Sequence, residues 1–236
     1  MRNYFVIDGT DSRDFGLYLN GAGTFESPSR AVDFIQVPGR NGDLIGLSTR
    51  LENGVYRYQD AFIFSDFRQN LADFRAFLLS QTGYRRLTDT YHPDTYRMVT
   101  FTGPLEPQVI ETNDAGRFDI ELPCMPQRFL LSGETVTTLT ATGSITNPTR
   151  FAVRPLLRVY GAGVLGVGDI NITISAADVY TDIDCETGRA YKGATPRDRY
   201  VTLSSIDYPY LQPGANGIAL GAGITRVEII PRWYTV

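Results

Sequence analysis

One lysine, one histidine, one tryptophan and two cysteines occur among the 236 residues, and each shortage narrows what the chain can be. His92, in TYHPDTY, has no companion histidine for a metal site, and no GxSxG elbow offers a nucleophile for it to activate. The His-Pro-Asp triplet reads instead as a turn between strands. Cys124 and Cys185 lie far apart, outside any CxxC or zinc spacing, and are expected as buried reduced thiols. No apolar run approaches the ~20 residues of a membrane span. The opening MRNYFVIDGTDSRDFG has only Tyr4 to Ile7 as an apolar run, too short for a signal peptide. The expectation is a chain made and folded in a cytoplasm, without a membrane partner, where the Asn171-Ile172-Thr173 sequon has no meaning. Lys192 is the single lysine beside 21 arginines. Two readings of that bias stand: the codons of a GC-rich genome, or a need for bidentate, partly dehydrated ion pairs at interfaces.

What the sequence does have is the material of tight-turned strands: 23 glycines, 13 prolines, 14 tyrosines and 13 phenylalanines. Hydrophobic residues at 42% and charged residues at 20% describe an ordered protein, and a net charge of −4 gives no overall attraction to nucleic acid. Strands are expected at Tyr4 to Ile7, Ala31 to Val37, Val55 to Phe64, Thr95 to Gly103 and Gly116 to Cys124. In Val55 to Phe64, Tyr56, Tyr58, Phe62 and Phe64 share one parity, the period of a half-buried strand. One helix is expected after Ser65 as N-cap, with Phe67, Leu71, Phe74 and Leu78 as its buried stripe and Gly83 as its C-cap. PLEPQVIETNDAG, 104–116, supplies proline breaks and a turn. Periodicity is lost over Pro123 to Gly133, which places a boundary between domains 1–128 and 129–236. The second domain has no helical pattern. ETVTTLTAT, RPLLRVYG, DINITISA, DVYTDIDCE, RYVTLSS, NGIAL and ITRVEIIPRW follow one another closely, the spacing of a β-sandwich or jelly roll. No internal repeat is apparent.

Three motifs invite a chemical reading. Gly161-Ala162-Gly163-Val164-Leu165-Gly166 is a literal GxGxxG, yet VGDINITIS follows with strand alternation where a dinucleotide site requires a helix. It reads as a glycine-rich strand connection, and no cofactor is expected. Asp182, Asp184 and Glu186 in TDIDCETG share one parity, but they lack the glycine and twelfth-position acid of a calcium loop and a second site for glycoside cleavage. They are expected on the solvent face of a strand, so no catalytic residue and no metal site is assigned. Tyr208 and Tyr210 in DYPYLQPG, with Trp233, suit stacking on host cell-wall sugars or packing at an interface.

The stretch VPGRNGDL places two turn-forming pairs almost back to back. Pro38-Gly39 suits the centre of a type II turn and Asn41-Gly42 a second reversal at positive φ, projecting Arg40 and Asp43. A structural loop or a subunit contact made by Pro38, Gly39, Arg40, Asn41, Gly42 and Asp43 are the two readings.

Taken in order, IDGTDSRDFGLYL (7–19), VPGRNGDL (37–44), the Tyr- and Phe-rich strand, the amphipathic helix and YRRLTDTYHPDTYRMVTF (84–101) resemble the distal tail protein family, Dit, of phages with long non-contractile tails. RPLLRVYGAG (154–163), YTDIDCETGRAY (180–191), PYLQPGANGIAL (209–220) and VEIIPRW (227–233) extend the resemblance over nearly the whole chain. The resemblance implies a mainly β protein with one amphipathic helix. An N-terminal β-sandwich domain with a long hairpin would form a homohexameric ring continuing the tail tube. A C-terminal galectin-like β-sandwich would face outward. It further implies a non-enzymatic virion protein that meets the tail tube protein, the tail-tip protein and receptor-binding proteins, while DNA passes through the lumen without specific binding.

Overall fold

Residues 2–21, 27–46, 50–110 and 114–236 are described by the computed structural model. The chain divides into two units, Met1–Arg128 with Val236, and Phe129–Thr235. The first contains β1 (Phe5–Ile7), β2 (Thr10–Asp11), β3 (Leu17–Leu19), β4 (Asp33–Ile35), β5 (Leu44–Gly46) and β6 (Gly54–Ile63). Helix α1 (Phe67–Leu79) follows, then β7 (Arg85–Asp89), β8 (Thr95–Val99), β9 (Gln108–Val109) and β10 (Gly116–Leu130), whose last two residues belong to the second unit. The main sheet has the order β2-β1-β7-β8-β10-β6-β3, with β9 pairing to β10, while β4 and β5, among the described residues, form a separate two-stranded sheet. Although the sequence loses its periodicity after Pro123, β10 runs on as strand to Leu130. The turn expected within 104–116 falls partly on 111–113, outside the described residues.

The helix lies on the sheet through the expected stripe: Phe67, Leu71, Phe74 and Leu78 are each at most 5% exposed. Phe74 meets the rings of Phe5 and Phe118 with centroids at 6.2 Å. Gly116 makes the close approach possible, because a Cβ there would stand 2.4 Å from the Phe67 ring. Both helix ends differ from the sequence expectation. The N-cap position is Asp66, without a side-chain cap, and the Phe67 N–H donates to Asp114 O at 3.1 Å. An acceptor from a distant loop thus replaces Ser65, whose own carbonyl receives Asn70 Nδ2. The C-cap is Ser80, and Gly83, at φ 93°, turns the chain later. Arg85, 6% exposed, serves the helix end: Nη1 donates to Phe77 O at 3.1 Å while Nε pairs with Asp8 at 3.0 Å. A cation on terminal carbonyls complements the helix dipole.

Strand β6 departs from simple alternation. Tyr56 and Tyr58 are buried as expected, but beyond them Ala61 and Ile63 take the core positions and Phe64 is 43% exposed. Phe118 pairs with Ala61 and Ile120 with Tyr58, so Gln59 and Asp60 together oppose Asp119. Asp60 adopts φ 54°, and its N–H donates to Asp119 Oδ1 at 3.0 Å. This bulge inserts one residue and reverses the parity of the strand beyond it.

The second unit is a two-layer sandwich. Its strands are β11 (Thr137–Leu139), β12 (Gly143–Asn147), β13 (Leu156–Gly161), β14 (Gly163–Val167), β15 (Ile170–Ile174), β16 (Tyr180–Asp184), β17 (Arg189–Lys192), β18 (Thr195–Pro196), β19 (Val201–Leu203), β20 (Gly214–Leu220), β21 (Ile224–Ile230) and β22 (Tyr234–Thr235). The sheets are β11-β21-β13-β16-β17-β18 and β12-β20-β14-β15-β19, and β22 pairs with β10. Leu157, Val159, Ile183, Val227 and Ile229 from one layer meet Leu165, Val167, Ile172, Ile174 and Ile218 from the other, all at most 1% exposed.

The GxGxxG is where the chain passes between layers. β13 continues through Ala162 into β14, and its neighbour β20 continues through 221–223 into β21, so two paired chains cross over side by side. Gly161-Ala162-Gly163-Val164 is matched by Gly221-Ala222-Gly223-Ile224, a local repetition that inspection for longer repeats misses. A Cβ on Gly161 would stand 2.1 Å from Gly223 O, and one on Gly223 2.1 Å from Ala162 O; Gly163 and Gly221 are similarly blocked at 2.3 and 2.6 Å. Gly161→Ala is therefore expected to destabilise the second unit by about 3–5 kcal/mol. Gly168→Ala, at φ 56° but with nothing within 4 Å, should cost about 1–2 kcal/mol. Denaturant unfolding followed by the fluorescence of Trp233 compares them, and equal losses would refute the crossing as the cause.

Candidate functional site

The segment around VPGRNGDL is an arm. Ser29 O accepts from Glu52 N–H at 2.9 Å and Ala31 N–H donates to Arg50 O at 3.1 Å, closing its base. Above the base, Asp33, Phe34 and Ile35 pair with Gly46, Ile45 and Leu44. At the tip Arg40 N–H donates to Val37 O at 3.2 Å with Gly39 at φ 78°, the turn expected of Pro38-Gly39, and Gly42 at φ 82° makes the second reversal. Pro38, Gly39, Arg40, Asn41, Gly42 and Asp43 are all exposed.

Its strands carry a feature the turn chemistry does not reveal. Phe34 is 66% exposed, Ile45 59%, Ile35 53% and Leu44 41%. Because successive residues point to opposite faces, Phe34 with Ile45 covers one face of the ribbon and Ile35 with Leu44 the other. A two-stranded ribbon is marginal in water by itself, and near-continuous apolar runs belong to strands covered on both sides. The signal was present in FIQV and DLIG, which lack the polar alternation of a half-buried strand.

The other singled-out residues have structural places. Asp182 and Asp184 are 4% and 8% exposed, not on a solvent face. Each holds a bidentate arginine: Arg158 Nε on Asp182 at 2.7 Å and Nη2 at 3.1 Å, Arg232 Nη1 on Asp184 at 2.7 Å and Nη2 at 3.2 Å. The arginines lie over the carboxylates and withdraw them from water, which strand parity alone does not foretell. Glu186 is exposed. His92 sits in the expected turn, its N–H donating to Asp89 at 2.8 Å. Burial, then the nearby Asp184 charge, pushes the Cys185 thiol up to about 12, the condition of an unreactive core residue. Trp233, 5% exposed, packs in the sandwich core and offers no free ring face. Tyr208 packs against that core too, and Arg154 covers the Tyr210 ring at 4.6 Å. Trp233 is thus closed to stacking, while Tyr208 and Tyr210 are partly exposed.

A groove of about 630 Å³ on the first unit is lined by Asp60, Glu106, Asp119, Glu121 and Arg117 among others. Among the described residues no cluster of three or more His, Cys, Asp or Glu could hold a metal ion, and no helix is long and apolar enough to cross a membrane.

The arginine bias has an observable use. Guanidinium groups stack on aromatic rings throughout: Arg2 on Phe64, Arg13 on Tyr4 and Arg226 on Tyr160, each at 3.8 Å, and Arg86 on Tyr96 at 4.0 Å. A planar cation stacks in this way better than an ammonium does.

No protein-family model matches the sequence, and no curated protein resembles it in sequence. Solved structures do match. The crystal structure of Dit from phage SPP1, described as a paradigm of the hub adsorption apparatus in phages infecting Gram-positive hosts, superposes with a TM-score of 0.79 at 13% identity, covering 100% of both chains. The chain has the fold of SPP1 Dit. Two baseplate structures of phage p2 in its activated conformation also match. The one with calcium has a TM-score of 0.53 at 11% identity, covering 97% of this chain and 98% of that one. The one with strontium has 0.55 at 12%, covering 97% and 96%. This fold, mainly β with a single α-helix among the described residues, is what the sequence resemblance implied.

Burial opposes ionisation of Asp184, but Arg232 and the Glu186 and Thr187 N–H groups outweigh it and hold the carboxyl below its ordinary value. A depressed folded pKa contributes stability that is complete above the unfolded value, about 3.9, and is lost as pH falls through the folded one. Asp184→Asn should therefore destabilise the second unit at pH 7 by about 1–3 kcal/mol, discounted for the partial exposure of Arg232. The gap from wild type should narrow as the pH falls below the unfolded value and vanish only below the folded one; urea titrations at several acid pH values give the comparison.

Proposed function

We propose that this protein is a structural distal tail protein of a long-tailed phage, one that joins the tail tube to the tail tip. Six copies form a ring through residues 1–128, and 129–236 form an outward-facing, galectin-like sandwich that docks tail-tip or receptor-binding proteins. The observation that carries this reading is the match to SPP1 Dit over the full length of both chains. The protein acts by assembly, without a reaction of its own, in the virion tail after synthesis in the host cytoplasm.

Two features of this chain support the ring. The arm exposes apolar pairs on both faces, a surface suited to insertion between neighbouring copies, with Arg40 and Asp43 at its tip as the polar ends of the contact. Insertion on one side and reception on the other is a heterologous contact, the kind that closes into rings. The charge is also unevenly placed. Residues 1–128 carry 13 arginines against 17 acids, whereas 129–236 are balanced at nine each, so the net −4 belongs wholly to the first unit. A negative ring lets DNA pass without retaining it.

Size-exclusion chromatography with light scattering should find a species of about 157 kDa, six times the 26.2 kDa chain. Phe34→Asp with Ile45→Asp should leave a folded monomer. Arg40→Ala with Asp43→Ala should weaken assembly, shifting it to higher protein concentration. Wild-type protein that stays monomeric at every concentration would refute the ring, and a double aspartate variant that assembles normally would refute the arm as its contact.

A further inference from the structure

Asn-Gly occurs four times in the chain, at Asn20-Gly21, Asn41-Gly42, Asn53-Gly54 and Asn216-Gly217. The pair has a chemistry of its own. Once deprotonated, the glycine backbone nitrogen can attack the asparagine Cγ, and glycine lacks the Cβ that would hinder the approach. The reaction requires a side-chain amide and a backbone nitrogen that no other contact holds apart.

The fold treats the four pairs differently. Asn216 is 6% exposed, and its side chain is fully engaged. Its Oδ1 accepts Gln212 N–H at 2.7 Å, and its Nδ2 donates to Gln212 O at 2.8 Å and Gly214 O at 2.9 Å. Gly217 lies within β20, opposite Ser144. Asn53 donates Nδ2 to Tyr84 OH, and Gly54 opens β6 opposite Cys124. Asn20 is exposed, but the chain is fixed on either side of it. Leu19 bridges to Asn3 before it, and Gly21 O accepts Tyr91 OH at 2.8 Å after it.

Asn41-Gly42 has none of these restraints. Both residues are exposed at the tip of the arm, and a Cβ on Gly42 would meet nothing within 4 Å. Among the described residues no hydrogen bond engages the Asn41 side chain or the Gly42 N–H. The turn bond from Arg40 N–H to Val37 O lies before the pair, and strand pairing resumes after it at Leu44.

We propose that Asn41 is a site of spontaneous deamidation in the unassembled protein. Gly42 N gives its proton to solvent hydroxide and bonds to Asn41 Cγ. The Cγ–Nδ2 bond breaks, and the nitrogen takes a proton from water and leaves as ammonia. Water then opens the cyclic imide at either carbonyl, leaving aspartate or isoaspartate. Both products replace a neutral amide by a carboxylate close to Asp43. Isoaspartate also lengthens the backbone by a methylene, which undoes the tight reversal at Gly42. The consequence for assembly rests on the ring proposed for residues 1–128. A tip seated between copies is shielded from the reaction, and a chain deamidated beforehand carries added charge into the contact.

The full chain, aged in mildly alkaline buffer and digested with trypsin, tests this, because cleavage after arginine puts the four asparagines on separate peptides. The mass gain of amide-to-acid conversion should appear at Asn41 about tenfold faster than at Asn53 and Asn216, which react only through local opening. Fragmentation should find isoaspartate among the products. Asn41 converting no faster than the other three would overturn the site, and aspartate as the sole product would overturn the imide route. Light scattering of the aged sample, with the Asn41 peptide read in each fraction, tests the consequence: deamidated chains should concentrate in the monomer. Equal deamidation in ring and monomer would overturn that effect. Absence of any ring, even in fresh protein, would refute the ring and leave the peptide comparison to decide the site.

Discussion

The second unit depends on a passage too narrow for side chains. Where two paired chains leave one layer of the sandwich and enter the other, the carbonyl oxygens of Ala162 and Gly223 stand where a Cβ would have to be. Every residue with a side chain is excluded from four positions at once, and excluded by backbone, which cannot rotate away. The inter-layer packing of Leu157, Val159, Leu165 and Ile218 depends on the corner these glycines permit. The same six letters that suggest a dinucleotide loop are therefore evidence of a steric constraint, and only the next element in the chain separates the two meanings.

Much of the fold could be read from the sequence because strands and helices declare themselves by period. The helix stripe Phe67, Leu71, Phe74, Leu78 is local information, and so are the turns at Gly39 and Gly42. What could not be read depends on distant atoms. Asp114 satisfies the helix N-terminus in place of Ser65. Arg158 and Arg232 fold over Asp182 and Asp184 and turn a seemingly solvated row into buried pairs. The arm was half legible: its two turns follow from Pro38-Gly39 and Asn41-Gly42, whereas the apolar faces below them show only as missing alternation in FIQV and DLIG, which does not tell a covered strand from an exposed one. Trp233 misled because a lone exposed-looking aromatic near a terminus and a core tryptophan are identical in sequence.

The scarcity of lysine also acquires a physical sense. Guanidinium planes lie on tyrosine and phenylalanine faces on both units, and arginine forks hold the buried Asp182 and Asp184. A lysine could supply the charge at such positions but neither the flat face nor the paired donors. Genome composition can set the supply of arginine; these contacts describe the use made of it.

The bulge at Asp60 has a consequence for how β6 and β10 find one another. In a regular antiparallel pair, sliding by two residues restores every side chain to its own face and sacrifices only one pair at the end. In β6 the extra residue divides the strand into two halves of opposite phase, and only Asp119 is placed to receive it. A slide in either direction would carry the kink to a site without its acceptor and turn residues between the old and new positions inside out. The bulge thus works like a pin in a hinge: it removes the near-degenerate alignments that a long, tyrosine-rich strand would otherwise sample.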